Sequence, residues 1–251
     1  MTATGQTPLV ALLTDFGPAA YAGVMKGVVL AHAPRAQLVD LSHAVPPQDI
    51  RQGAWLLYSS FTWFPEGTIF LCVVDPGVGT ERLAIAARTR RYLFVGPDNG
   101  LLWPTLEADG LVEAVALPVA ADASATFHGR DVFGPAAGRL AAGTPLEALG
   151  TPVSRLIPFA FHRAGREGEI VYVDPFGNAI TNLPPLGGRR RYAVEGPGLP
   201  VELPWYPHYG AAPAGSLFLV TGSAGTLELS VKNGDAAAAY ALRAGMRIRL
   251  S

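Results

Sequence analysis

Two short stretches hold residue types that do chemistry. Asp75-Pro76-Gly77-Val78-Gly79-Thr80-Glu81-Arg82 follows an apolar run. Its Pro and Gly residues set a sharp loop that offers a carboxylate and, seven residues on, a guanidinium. Thr126-Phe127-His128-Gly129-Arg130-Asp131 adds an imidazole just ahead of a helix expected over residues 132–142. A carboxylate and an imidazole can hold and deprotonate a small nucleophile such as water, and a guanidinium can stabilise developing negative charge. On residue types alone, an Asp75–Arg82 ion pair that holds a loop and a helix-capping His128 explain the two stretches at least as well. Asp15, Ser42-His43 and Asp75 each directly follow a run read as a strand, and Asp98-Asn99-Gly100 follows another. Ligands of open α/β sheets bind beyond the carboxyl ends of the strands, so these groups are expected to line one crevice. Taken singly, Asp15 is equally a helix cap or turn residue, and Asp98-Asn99-Gly100 a tight turn.

The elements that must position these groups alternate. Residues 9–13, 37–41 and 68–74 read as buried strands, and 21–32 and 49–61 as helices. Tyr21, Val24, Met25, Val28 and Val29 recur at helical spacing in the first helix. In the second, Ile50, Gly53, Ala54, Leu57, Tyr58 and Phe61 share one face. Residues 83–87 and 92–95 read as a hairpin turning at 88–91, followed by a helix from about Leu101 and a strand over 112–117. Such alternation predicts an α/β domain with a largely parallel central sheet flanked by helices. After residue 164 the strands are short and separated by Gly and Pro turns, which predicts an all-β, barrel-like second domain. The joint falls in His162-Arg163-Ala164-Gly165-Arg166-Glu167-Gly168, giving domains 1–163 and 164–251.

Composition bounds the function. The chain has 251 residues, 49% of them hydrophobic, which is enough for a substantial core and excludes disorder. Charged residues make up only 16%, which suggests surface buried in an oligomer. The formal net charge of −1 argues against nucleic acid as a partner, and the runs Arg88 to Arg91 and Arg189 to Arg191 read as solvated turns. A lone Cys72 excludes an intrachain disulfide, and no apolar stretch reaches the ~18 residues of a membrane span. The first eight residues show no secretory leader pattern, so a cytoplasmic location is expected. Gly77-Val78-Gly79-Thr80-Glu81-Arg82 has Arg where a dinucleotide loop needs its third Gly, and five scattered His give no zinc pattern. A carboxylate Mg²⁺ site from Asp15, Asp75 and Asp98 stays open as a minor reading.

Taken in order, the motifs resemble those of the S-adenosyl-L-methionine hydroxide adenosyltransferases, relatives of the fluorinase and chlorinase enzymes. The resemblance runs through Leu13-Thr14-Asp15-Phe16-Gly17, Gly23-Val24-Met25-Lys26-Gly27, the stretch from Asp75 to Arg82 and Gly96-Pro97-Asp98-Asn99-Gly100. It continues in Phe127-His128-Gly129-Arg130-Asp131, Phe176-Gly177-Asn178 and Ser223-Ala224-Gly225-Thr226-Leu227-Glu228. It covers nearly the whole chain, and several motifs in one order are specific where one alone is weak.

The resemblance implies an α/β N-terminal domain and a β-rich C-terminal domain. It also implies a homotrimer that binds S-adenosylmethionine between the N-terminal domain of one subunit and the C-terminal domain of the next. The implied reaction turns S-adenosylmethionine and water into adenosine and L-methionine; because the sulfonium leaving group already carries the activating charge, no cofactor and no metal are expected. The hydrolytic members carry an Asp-Arg-His set that maps onto Asp75, Arg82 and His128; the halogenating members lack it. Asp75 and Gly129 stand where the fluorinase builds its halide pocket. Asp15 matches the carboxylate on the ribose hydroxyls. Phe127, Phe176 and Tyr209 match positions around the adenosine, Asn178 a hydrogen-bonding group there, and Asp174 and Ser223 groups near the methionine end. Two departures stand out. Pro18-Ala19-Ala20 lacks the second Asp that the family places for the methionine ammonium, and Gln48 replaces a fluorinase tryptophan. Which of Asp75 and His128 takes the water's proton is open at this level. The rival readings are a nucleoside-binding module with little or no turnover, halide chemistry on the same fold, and a metal-dependent phosphoesterase on Asp15, Asp75 and Asp98.

Overall fold

The computed structural model describes residues 7–251. The leader reading above rests mostly on residues outside that range. By their internal contacts the residues divide into two compact units, the first ending at Phe159 and the second running from Ala160 to Ser251.

The first unit follows the expected alternation: β1 (Leu9–Thr14), α1 (Tyr21–His32), β2 (Gln37–Ser42), α2 (Ile50–Ser60), β3 (Ile69–Val73), β4 (Ala84–Thr89), β5 (Leu93–Pro97), α3 (Trp103–Asp109), β6 (Leu111–Ala116), α4 (Gly134–Ala141) and β7 (Thr151–Pro152). These strands form one sheet in the order β2-β1-β3-β5-β4-β6-β7. Parallel pairing holds across β2-β1-β3-β5. The β4–β5 hairpin then reverses direction, and pairing is antiparallel out to β7, so the sheet is mixed.

The runs Leu-Val-Ala-Leu-Leu of β1, ahead of its terminal Thr14, and Ile-Phe-Leu-Cys-Val of β3 are apolar throughout, as suits strands covered on both faces of the sheet. Alternate residues go to opposite cores. Val10, Leu12, Leu71 and Val73 pack with Met25 and Val29 of α1 and Ala137 and Leu140 of α4. Ala11, Leu13, Phe70 and Cys72 pack with Leu57 of α2 and Leu106 of α3. One expectation changes in α1. Ala22, Met25 and Val29 are its buried stripe, while Tyr21 and Val24 lie on the outer face, 54% and 41% exposed.

The second unit comprises β8 (Glu167–Val173), β9 (Ala179–Thr181), β10 (Arg191–Glu195), β11 (Glu202–Pro204), β12 (Leu217–Thr221), β13 (Leu227–Val231), a one-turn helix α5 (Ala236–Tyr240) and β14 (Arg247–Leu250). All pairs in its sheet, ordered β11-β10-β14-β8-β9-β13-β12, are antiparallel. The two edges come together where Trp205 bridges Leu219 and the Tyr206 N–H donates to the Leu219 carbonyl at 2.9 Å. The sheet is therefore nearly closed around a core that includes Ile170, Tyr192, Leu219 and Leu229. The helix was not evident in the sequence; Asp235 caps it through an acceptor for the Ala238 N–H.

Candidate active site

The carboxyl ends of β1, β2, β3 and β5 lie on one edge of the first unit's sheet, which is where Asp15, His43, Asp75 and Asp98 follow their strands. The loop after β3 is compact. Val78 N–H donates to the Asp75 carbonyl, and the Thr80 N–H and Oγ1 both reach the Gly77 carbonyl, the latter at 2.7 Å. At Gly79 φ is +78°, and a Cβ there would sit 2.4 Å from the Ala125 carbonyl oxygen. Only glycine allows this approach, which brings the loop against the segment leading into His128.

Arg82 is the centre of the cluster. Its Nε donates to both Asp75 oxygens, at 3.0 and 3.1 Å, and its Nη2 donates to Asp75 Oδ2 as well. The same Nη2 lies 2.8 Å from His128 Nδ1. A guanidinium can only donate, so Nδ1 accepts and the ring hydrogen is assigned to Nε2. The side chains of Arg82 and Asp75 are 8% and 4% exposed, and His128 is buried. Burial, then the charge of Arg82, hold the His128 imidazole below its ordinary range. The Phe133 ring lies under the guanidinium, 5.2 Å from Cζ to ring centre. Arg82 Nη1 is buried without a hydrogen-bond partner among the described residues. A buried N–H left open beside a carboxylate and an imidazole is a place for a ligand oxygen.

Local structure explains why His128 is there. It makes no side-chain cap bond, so the helix-cap explanation fails; a π-turn over Gly129–Phe133 follows it and leads into α4. Asp131 accepts the Ser124 N–H at 2.8 Å and pairs with Arg130, which pins the preceding turn. The ion-pair explanation of Asp75 and Arg82 is correct as far as it goes, but the pair is also joined to the imidazole.

Phe127 meets Phe16 and Tyr21 edge to face, with ring centres 6.1 and 5.3 Å apart. A Cβ at Gly129 would sit 3.2 Å from the Phe127 ring and 3.3 Å from Met25 Sδ, so the glycine makes room for that ring. Asp15, half-buried, accepts the Gln48 N–H at 2.7 Å. His43 and Asp98 have other work. His43 Nδ1 is 2.8 Å from Thr14 Oγ1 and its Nε2 is 2.9 Å from Asp40 Oδ1, which ties the ends of β1 and β2 together. Asp98, buried, accepts the Ile157 N–H at 2.8 Å. Among the described residues no group of three or more His, Cys, Asp or Glu side chains converges as a metal site, so the Asp15, Asp75 and Asp98 reading has no geometric support.

In the second unit, Asp174 holds the turn after β8. Its Oδ1 accepts the N–H groups of Phe176 and Asn178, and its Oδ2 accepts from Asn178 Nδ2 at 2.8 Å. The turn buries Asn178 and leaves Phe176 79% exposed. Tyr209 donates to Glu228 Oε2 at 2.7 Å, and Ser223 is exposed on the β12–β13 turn. Glu228 was visible only as part of a motif. Its alternation with Leu227 and Leu229 sets it on the opposite face from the core, where burial raises its carboxyl above the usual range.

A family model for the SAM hydroxide adenosyltransferase N-terminal domain matches residues 10–150, and one for the C-terminal domain matches 168–249. The chain belongs to the SAM hydroxide adenosyltransferase family. An "(R)-S-adenosyl-L-methionine hydrolase" of Thermus thermophilus is 44% identical, covering 95% of this chain and 97% of the relative. One from Salinispora arenicola is 36% identical, covering 98% of each. A solved structure of a conserved protein from Thermotoga maritima superposes with a TM-score of 0.89 at 33% identity, over 96% of this chain and 100% of that one. In this member of the family the fold thus brings together, at one sheet edge, an ion-paired carboxylate, an imidazole of lowered basicity and a guanidinium N–H without a hydrogen-bond partner among the described residues.

Proposed function

We propose that this enzyme hydrolyses S-adenosyl-L-methionine to adenosine and L-methionine by attack of water on the ribose 5′-carbon. The observation that carries the reading is Arg82, which joins Asp75 to His128 and keeps a buried N–H free. The new bond runs from the water oxygen to C5′. The C5′–sulfur bond breaks, its electron pair stays on sulfur, and methionine leaves as a neutral thioether. The carboxylate of Asp75 accepts a hydrogen bond from the water, and His128 Nε2–H donates to the water oxygen. Because Nδ1 of His128 is engaged by Arg82, the proton goes to Asp75 and from there to solvent. Holding the water in line removes several kcal/mol of the barrier, and general-base help typically adds 10²–10⁴-fold.

The leaving group already carries the activating charge, so the proposed step needs neither metal nor cofactor. An ionised carboxylate only accepts hydrogen bonds, so it holds water and offers nothing to a halide ion. We assign the reacting groups to the first domain and the adenosine and methionine contacts to Asp15, Phe127, Asp174, Phe176, Asn178, Tyr209 and Ser223. Asp15, as an acceptor pair, suits the vicinal hydroxyls of ribose. We take the working form to be a cytoplasmic homotrimer in which the second domain of a neighbouring subunit completes the site. The outward-facing Tyr21, Val24 and Leu30 of α1 supply apolar surface for such an assembly. Among the described residues no helix is long and apolar enough to cross a membrane.

The test is incubation with S-adenosylmethionine in ¹⁸O-labelled water, followed by mass analysis of the adenosine. The label is expected on the 5′-hydroxyl, and chloride is expected to yield no 5′-chloro-5′-deoxyadenosine. Unlabelled adenosine, or no adenosine at all, refutes the proposal.

A further inference from the structure

Asp98-Asn99-Gly100 takes no part in the chemistry above, yet it lies beneath the loop that carries it. The chain leaves β3 and enters β4 two positions away in the sheet, because β5 lies between them. Residues 75–82 must therefore arch over the carboxyl end of β5, where Asp98 and Asn99 emerge. The Asp98 N–H donates to the Leu83 carbonyl at 2.9 Å. Asn99 Nδ2 donates to the Val74 carbonyl, also at 2.9 Å. These are the carbonyls at the two feet of the arch, one residue before Asp75 and one after Arg82. Asn99 Oδ1 accepts the Leu101 N–H at 3.1 Å, which orients the amide. Gly100 has φ of +95°, and a Cβ there would sit 2.9 Å from Phe159 Cβ, so the turn keeps a single course.

We propose that Asn99 is a positioning residue for the hydrolytic reaction: its amide fixes the start of the arch so that Asp75 and Arg82 stay aligned on His128. This rests on the proposed hydrolysis. A displacement of about 1 Å in such an array can cost as much as 10²-fold in rate.

The test is Asn99→Ser, whose short hydroxyl keeps an acceptor for the Leu101 N–H but does not reach Val74. Expected is a kcat lowered roughly 10- to 100-fold with KM within about twofold of the parent. The His128 ring, followed by NMR, is expected to titrate at higher pH as the Arg82 charge moves away. A parental kcat and an unmoved His128 titration overturn the proposal, and so does a parallel change in kcat and KM that tracks lost cooperative unfolding. Should Asn99→Ser not fold, Asn99→Asp keeps the size and the Leu101 acceptor, lacks the N–H for Val74, and is judged by the kcat and KM criteria. The NMR titration needs no turnover, so an inactive parent chain sinks the hydrolysis while the clamp is still judged.

Discussion

Replacing Arg82 by Met should separate the two things this side chain does. The guanidinium is 8% exposed and sits on a carboxylate that is 4% exposed. Removing it strands Asp75 in a buried place with three fewer donated hydrogen bonds. Breaking a buried pair from one side typically costs about 3–5 kcal/mol, because the remaining charge is uncompensated. Whole domains have about 5–15 kcal/mol, so Arg82→Met should still fold, with a much lower urea midpoint. Adding Asp75→Asn removes the charge, and the double variant should regain most of the lost stability.

Activity should not follow. Arg82→Met is expected to lose roughly 10²–10⁴-fold in kcat, and the double variant, although more stable, should be no faster. Urea unfolding and adenosine release, measured on the parent, both single variants and the double variant, close the cycle. A parental midpoint for Arg82→Met would show that the pair is not buried as described. Recovery of turnover in the double variant would refute the role given to Asp75.

His128 should stay neutral as pH falls through 6.5, the ordinary imidazole value, because burial and Arg82 both oppose its charging. The stability that comes from keeping it neutral is complete above the unfolded value and is lost as pH falls through the lower folded one; NMR of the ring should show that low midpoint, and Arg82→Met should raise it. Gly79→Ala should cost about 1–3 kcal/mol, because alanine resists φ of +78° and its Cβ meets the Ala125 carbonyl. It should also lower kcat by shifting the loop away from the His128 segment, as adenosine release and a denaturation curve will tell; a parental value for both would contradict the packing.

Much of this arrangement was legible from residue order. The continuous apolar runs of β1 and β3 announce strands covered on both faces, and the polar residues just past them mark the sheet edge. What periodicity does not carry is pairing. The β4–β5 hairpin, whose reversal makes the sheet mixed, was evident, but nothing local says that β5 inserts beside β3. Nor does helical spacing say which apolar stripe faces inward; in α1 the outer one holds Tyr21 and Val24. Among the site residues, Asp75 and Arg82 stood out by loop chemistry and spacing. Phe133, under the guanidinium, was hidden as an ordinary core residue, and the work of Asp174 as a turn former shows only in its three accepted hydrogen bonds.

The insertion that pairing rules could not reveal also sets up the ion pair of the proposed site. Because β5 separates β3 from β4, the loop between them spans the edge and can fold Arg82 back over Asp75. Under the proposed mechanism Asp75 would face a hard task if water had to be deprotonated before it attacked. In displacement of a sulfonium it does not. As the oxygen bonds to C5′, positive charge passes from sulfur to oxygen, and the resulting protonated alcohol is a far stronger acid than water. A modest carboxylate then suffices as acceptor, and the positive charge of Arg82 hastens the loss of that proton. The neutral imidazole completes the balance, since a charged one would oppose the cationic substrate and forfeit the acceptor for Arg82 Nη2. The ion pair and the lowered basicity of His128 are thus one electrostatic design, suited to a substrate that arrives charged and leaves neutral.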